Sequence, residues 1–479
     1  MANKLIGRKE EIALLNKYCG SDNNEMVAVY GRRRVGKTFL VRETLGDLFD
    51  FSFVGMYKQT SKTQRMQFQK EINSRLGKRI KTPIDWFEAF DNLKSYLLSL
   101  NKEKVIIFLD ELPWMDTSKS NFLSAFSYFW NSWGNEKVIL KLVVCGSSTT
   151  WMLDKLIGDK GGLYGRITRP IYLAPFSLAE TEMFLNEIKK MGYGRKQVLD
   201  TYMIFGGVPY YLDMLDKDIP FSINIDRLLF AENAPLRTEY EFLYRSLFNN
   251  SVNHRKIVEV LSTKLSGLTR EEIIELSGIS GGVLTEILSN LCACDFISCY
   301  SSPAKKERDR IYQLTDMYSL FYLRFIQNEK GQDERYWTNM GQTGKKNAWA
   351  GYAFEQVCLH HIKQIKNKLG ISGILSNIYA WSGKAFEDSD GTKWKGGQID
   401  LVIDRNDNVM NLCEMKYSQD EYVIDNDYEK NIRDRMQLFK KLQKTKKDLR
   451  CTFITVYGVK QNIHSGIVNH SIKLDDLFM

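Results

Sequence analysis

Residues 26 to 45 narrow the fold more than any other stretch. An apolar pentad from Met26 to Tyr30 is followed by Gly31, Arg32, Arg33, Arg34, Val35, Gly36, Lys37 and Thr38, and then by an apolar-periodic run that opens with Phe39. The pentad reads as a buried strand and the later run as a helix, so the chain passes from strand to helix through a loop bounded by glycines. A strand of that kind lies parallel to others whose crossovers are helices. Short apolar runs at Phe51, Val105, Leu140 and Ile171, separated by long helix-like segments, supply those partners. The expectation is an α/β, doubly wound parallel sheet over residues 1–175.

Glycines at both ends of the octet let backbone N–H groups turn inward, and the helix start behind them adds its positive end, which makes a cradle for phosphates. Gly31, Arg32, Arg33, Arg34, Val35, Gly36, Lys37, Thr38 and Phe39 are therefore candidates for binding ATP. Lys37 would meet the β- and γ-phosphates, and Thr38 would ligate Mg²⁺, a hard cation that prefers oxygen. The run from Val105 to Leu109 ends in Asp110 and Glu111, two carboxylates at the C-terminal end of a strand beside the loop. Asp110 would hold the Mg²⁺ shell and Glu111 would orient or deprotonate the attacking water. After the next strand Ser147 and Ser148 stand where a polar side chain senses the γ-phosphate, and Ser148 is the candidate. Arg166 and Arg169 precede a strand, and either suits an arginine finger, within the chain or from a neighbour; ion pairing with surface carboxylates is the plainer alternative.

At 479 residues the chain exceeds one hydrophobic core, and 43% hydrophobic with 26% charged residues is the balance of a folded globular protein. A net charge of +9 keeps nucleic acid among the partners, DNA ahead of RNA, and leaves a homo-oligomer open. The apolar runs are too short to span a bilayer and the start carries no apolar signal core, so the expectation is a cytoplasmic protein without a membrane segment. Eight cysteines with no C-x-x-C spacing, and five histidines with no H-E-x-x-H pattern, argue against structural zinc.

Beyond Pro175 the strands stop, and residues 176–250 read as a helical lid broken by Gly206 and Gly207. Residues 251–330 carry three short helical patterns, one capped by Thr269, and then two strand-like runs, which is the order of a winged helix-turn-helix. Its third helix, Gly281 to Leu291, has no arginine or lysine and carries Glu286, so packing or protein binding suits it better than a DNA groove. The basic wing residues Lys305, Lys306, Arg308 and Arg310 are diluted by Glu307 and Asp309. A linker is expected at 331–346, within the polar stretch from Asn328 to Lys346, ahead of a last α/β domain at 347–479.

In that domain two strand-like runs flank a turn-rich Arg405 to Asn408, so they read as a hairpin. Asp400 and Glu414 each lie seven residues from Asp407, which sets them opposite one another. Two facing carboxylates repel, and a divalent cation between them relieves the repulsion. Lys416 shares the face of Glu414, close enough to steady a metal-bound hydroxide or a phosphate transition state. Glu355, on a helix upstream, could complete the metal shell, and Gln437 on the following helix could add a polar contact. An exposed hairpin whose acid and lysine pair across strands is the alternative.

The runs Gly7 to Glu11, Gly31 to Thr38, Leu109 to Glu111, Cys145 to Ser148, Gly165 to Phe176 and Gly206 to Leu212 together resemble the archaeal-type ATPases of the AAA+/STAND group. That resemblance implies an ATP-driven switch or remodeller in which lid and winged helix report the nucleotide state. The arrangement of Glu355, Asp400, Glu414 and Lys416 resembles the PD-(D/E)XK restriction-endonuclease-like fold, and implies a metal-dependent nuclease or a binding relative that no longer cuts. The proline that often precedes the first acid is absent, with Ile399 in its place.

Overall fold

The apolar runs become strands β1 (Glu25–Tyr30), β2 (Phe51–Val54), β3 (Lys104–Asp110), β4 (Ile139–Gly146) and β5 (Arg169–Tyr172). The structure is a computed structural model that describes residues 5–159, 161–248, 250–300, 310–327, 333–388 and 391–479. These fall into two compact units, 5–175 with 246–248, and 176–245 with 250–479. In the first, all five strands are parallel, in the order β2-β3-β4-β1-β5.

Both faces of this sheet are covered, which is why its strands are continuously apolar instead of alternating. Ala28, Ile107, Leu109, Leu142 and Val144 pack on one side with the helices Trp86–Ser99 and Phe122–Trp133. Val27, Val29, Phe108, Val143 and Cys145 pack on the other with the helices Lys9–Gly20 and Lys37–Leu45. Because β4 lies between β1 and β3 while β5 flanks β1 on the far side, the strand order reverses at β1. A crevice for ligand belongs at the C-terminal ends there.

The second unit begins with the expected helices, including Arg195–Phe205. Helices Ser251–Ser262, Arg270–Ser277 and Gly281–Ala293 follow, with β6 (Leu268–Thr269), β7 (Ile297–Tyr300) and β8 (Ile311–Leu314) in an antiparallel sheet ordered β6-β8-β7. Thr269 caps its helix in a capping box with Glu272, as its position before an apolar run suggests. Lys305, Lys306, Glu307, Arg308 and Asp309 lie outside the described residues.

The expected linker is not one over its described part, 333–346. Helix Tyr336–Met340 and the start of helix Gly344–His360 occupy it. Trp337 is 4% exposed and meets Phe321, Phe325 and Trp349 edge-on, with centroids 5.1, 5.3 and 5.7 Å away. The carboxylate of Asp226 accepts the backbone N–H groups of Trp337 and Thr338 at 2.8 and 3.2 Å. One buried tryptophan outweighs the polar residues around it. Residues 328–332 lie outside the described residues.

The C-terminal sheet is built from β9 (Ser376–Gly383), β12 (Gly397–Arg405), β13 (Val409–Lys416), β14 (Asp448–Thr455) and β15 (His470–Lys473), with a small side hairpin of β10 (Phe386–Glu387) and β11 (Lys393–Trp394). The order is β15-β14-β13-β12-β9; β9, β12 and β13 pair antiparallel, whereas β13, β14 and β15 pair parallel. Helix Asn426–Gln443 crosses from β13 to β14, and its Leu438 and Phe439 bury Tyr379, Trp381, Val402 and Leu412. No helix among the described residues is long and apolar enough to cross a membrane.

Candidate functional site

The phosphate-binding loop is held open by backbone torsions that few residues tolerate. Gly31 has φ of 143°, Arg34 of 72° and Gly36 of 91°, and helix Lys37–Leu45 starts immediately behind them. Any Cβ at Gly31 would collide with the carbonyl of Leu173, so this glycine is required by space as well as torsion. Val35 anchors the loop in the core, Arg32 is buried, and Arg33, Arg34 and Phe39 are partly exposed. The ammonium of Lys37, 6% exposed, donates to the carbonyls of Gly31 and Arg32 at 2.9 and 2.8 Å, so the charge sits inside the loop.

Strands β1, β4 and β3 bring the remaining groups to the same end of the sheet. Thr38 Oγ1 donates to Asp110 Oδ2 at 2.7 Å, and Asp110 Oδ1 accepts the N–H of Glu111 at 2.9 Å. A hydroxyl and a carboxylate from two elements, adjacent and both hard oxygen donors, fit Mg²⁺. Glu111 follows β3 in the left-handed region, φ 46°, which turns its side chain back across the strand ends. Its Oε2 accepts from Ser147 N at 3.1 Å and from Ser147 Oγ at 2.8 Å. Burial raises the Glu111 carboxyl above its ordinary range, while the charge of Lys37 and the Ser147 bonds oppose that rise.

The structure adds detail to two of the expected groups. The serine bonded to Glu111 is Ser147, while Ser148, the expected γ-phosphate sensor, stands at the start of the short helix Thr149–Trp151. Alternation beyond Gly146 turns one serine inward and the next away. The arginines are the other group. Arg169 pairs with Val27 in parallel register, so it sits at the N-terminal end of β5, about 10 Å along the strand from the level of Tyr30. The loop is at the opposite end of the sheet from Arg169, so for that arginine a finger from a neighbour or surface ion pairing is the reading that fits.

The C-terminal cluster forms in the second unit. The β12–β13 register, Leu401↔Cys413 through Asp404↔Met410, is centred on Asp407 and by one further step sets Asp400 opposite Glu414. The register of β12 against β9 shifts between Ile399 and Val402, a bulge that re-aims the strand at Asp400. Asp400 Oδ2 accepts the N–H of Met415 at 3.1 Å, and Lys416 Nζ lies 3.7 Å from Asp400 and 3.5 Å from Glu414.

Glu355, on helix Gly344–His360, is near enough to these three for their charges to act on it. Burial, then the charge of Asp400, pushes its carboxyl up to about 8 despite Lys416. Glu414 is raised as well, by burial and by Asp400. Burial works against the charge on Lys416, but Asp400, Glu414 and Glu355 outweigh it and raise its pKa. Asp400 and Glu414 are donors of the right kind for a divalent cation. Even so, among the described residues no group of three or more His, Cys, Asp or Glu side chains is gathered closely enough to hold a metal ion.

Arg435 and Tyr428 are the residues that the sequence did not point to. Arg435 Nη1 pairs with Glu414 Oε1 at 2.8 Å, and Tyr428 Oη donates to Glu414 Oε2 at 3.0 Å. Both sit on the helix in which Gln437 was expected to act; Gln437 is exposed and lines an outer groove. Nothing local marks Arg435 as different from the surface Arg433 two residues before it, which pairs with Glu429 within its own helix.

Residues 5–215 match the model of a family described as an ATPase domain predominantly from Archaea. An uncharacterized protein of Methanocaldococcus jannaschii is 25% identical over 435 residues, 90% of each chain. Among solved structures, a Walker-type ATPase of Pyrococcus abyssi is 19% identical with a TM-score of 0.48, covering 68% of this chain and 97% of its own. The ORC2 protein of Aeropyrum pernix is 13% identical with a TM-score of 0.43, covering 67% and 95%.

Proposed function

We propose that the ATPase domain drives or regulates a Mg²⁺-dependent, nuclease-like domain at residues 347–479 that acts on nucleic acid, DNA in preference to RNA. The lid at 176–250 and a winged-helix module at 251–330 would lie between them in the chain. The observation that carries this reading is the convergence of Glu355, Asp400, Glu414 and Lys416, from one helix and two strands, on a single cluster.

In the ATPase domain Lys37 would take the β- and γ-phosphates, and Thr38 with Asp110 would hold Mg²⁺. Glu111 is the group to accept the proton of the attacking water, with Ser147 fixing the direction of its carboxylate. In the second site Asp400 and Glu414 would hold the ion, which when bound supplies Lewis acidity and an acidified water. Lys416 stabilises charge on the phosphate. Glu355, protonated up to about pH 8, places a proton donor beside them.

The test is incubation of the protein with DNA, Mg²⁺ and ATP, alongside Asp400→Ala and Lys37→Ala. Cleavage should vanish in the first variant and lose its response to ATP in the second. Cleavage that survives Asp400→Ala sinks the site.

A second reading is favoured by the engagement of Glu414 with Arg435 and Tyr428: a nucleotide-dependent assembly switch whose C-terminal domain binds nucleic acid or a partner without cutting. It predicts a mass in solution that depends on ATP and on Lys37. An unchanged mass in every state counts against it.

A further inference from the structure

Glu414 is the most heavily engaged acid of the C-terminal cluster. One oxygen pairs with Arg435 at 2.8 Å; the other accepts from Tyr428 at 3.0 Å and lies 3.5 Å from Lys416. Arg435 is itself fixed in place. Its Nη1 also donates to the carbonyl of Gln398 at 3.0 Å, and its stem lies against Gly397, where an added Cβ would come within 3.0 Å of the arginine Cγ. The guanidinium lies 5.9 Å from the centre of the Tyr428 ring. A guanidinium cannot be deprotonated inside a protein, so this positive charge is permanent. Asp400 and Glu414 thus already face two cations, Lys416 and Arg435.

We propose that Arg435 is a built-in counter-cation that competes with a divalent metal ion for Glu414 and holds the metal affinity of this site low. The proposal rests on the reading of Asp400 and Glu414 as the metal-binding pair, and names what regulates it. An ion between those carboxylates would stand within a few ångströms of the guanidinium, where like charges repel strongly. Glu414 would also have to weaken a charge-assisted hydrogen bond, one of the stronger polar contacts a protein makes.

Lys416 does not act in the same way. Its ammonium is 3.5 and 3.7 Å from the acids, outside hydrogen-bonding distance, on a flexible stem that can withdraw. Arg435 also has an alternative set of contacts. It lines an outer groove of about 580 Å³ whose charged residues are Lys393, Lys395 and Lys430 together with Asp427 and Asp434, where the lysines outnumber the acids and a phosphate could take the guanidinium and leave Glu414 to the metal.

The experiment is calorimetric titration of the full chain with Mn²⁺, counting only the binding that Asp400→Ala abolishes, so that the ATP site does not contribute. Arg435→Gln should bind Mn²⁺ about tenfold or more tightly than the wild type, whereas Arg435→Lys, which keeps the charge, should stay near it. Thermal melts establish that the variants fold. Should Arg435→Gln fail to fold, Gly397→Ala crowds the arginine stem aside and should raise the affinity by a smaller factor. Equal affinity in the wild type, Arg435→Gln and Gly397→Ala overturns the role of Arg435 and leaves the metal pair standing. No Asp400-dependent binding in any of them overturns both.

Discussion

Replacing Glu355 by glutamine should stabilise the protein at alkaline pH and leave it unchanged in acid. In the folded chain burial and Asp400 hold the Glu355 carboxyl at about 8, against 4.5 for the free group. Below about pH 4.5 both folded and unfolded chains carry the proton, and the residue contributes no pH-dependent term. Between about 4.5 and 8 the unfolded chain ionises while the folded chain keeps its proton, so folded protein binds more protons and stability falls as pH rises. Each pH unit in that window costs about 1.4 kcal/mol, and the penalty levels off above about pH 8 near 5 kcal/mol. Partial access of water to the side chain trims this to about 2–4 kcal/mol. Glu355→Gln keeps the shape and removes the titration. Its apparent Tm should exceed that of the wild type by about 3–8 °C at pH 9 and match it at pH 4.5. Melting curves at half-unit pH steps read the effect directly. Asp400→Asn should shrink the gain, because it removes one of the charges that push Glu355 up. A gain that is the same at pH 4.5 and pH 9 would falsify the assignment, since packing and not ionisation would then be its source.

Three further outcomes are expected. Glu111→Gln should lower ATP turnover by about 100-fold or more while retaining nucleotide binding, whereas Lys37→Ala should lose binding itself; a fluorescent ATP analogue and a phosphate-release assay separate the two. Ser147→Ala removes one of the two bonds that fix Glu111 and should slow turnover about tenfold, with Ser148→Ala near wild type; the reverse order would return the role to Ser148. Trp337→Ala should cost the second unit about 3–5 kcal/mol in urea unfolding, and a loss under about 1 kcal/mol would restore the linker.

What could be read from the sequence was the chemistry that sits on contiguous residues or follows from counting along one hairpin. Gly31 to Thr38 is local: strand, loop and helix adjoin, and the torsions at Gly31 and Gly36 are those that only glycine meets cheaply. Asp400 and Glu414 were legible because an antiparallel turn centred on Asp407 converts sequence distance into register. Parallel strands offer no such rule. Arg169 does open a strand, as expected, but nothing in the run around it reveals that it pairs with Val27 and not with a residue beside the loop. The contact of Arg435 with Glu414 spans a strand and a crossing helix, and its position in an amphipathic pattern is that of any exposed arginine. His361, adjacent to His360 in sequence, gave no hint of its work either. It is fully enclosed, its ring accepts the N–H of Leu178 at 2.9 Å, and burial lowers its pKa to about 4, so it is a packing residue of the second unit.

The two sites differ in how their acids are satisfied. At the ATP site the partners are neutral: Asp110 accepts from the Thr38 hydroxyl and a backbone N–H, and Glu111 from the hydroxyl and N–H of Ser147. Neutral donors fix direction without cancelling charge, so the carboxylates keep their pull on a divalent ion. At the C-terminal site the partners are cations, with Lys416 beside both acids and Arg435 bonded to Glu414, and the negative charge is already met. A metal ion adds to the first arrangement but must displace part of the second. On this reading the acids of the ATP site are left open to a divalent ion, whereas at the C-terminal site Arg435 weakens the hold of a metal on Glu414. Control of the second site lies in that exchange, and the charge at position 435 is the place to alter it.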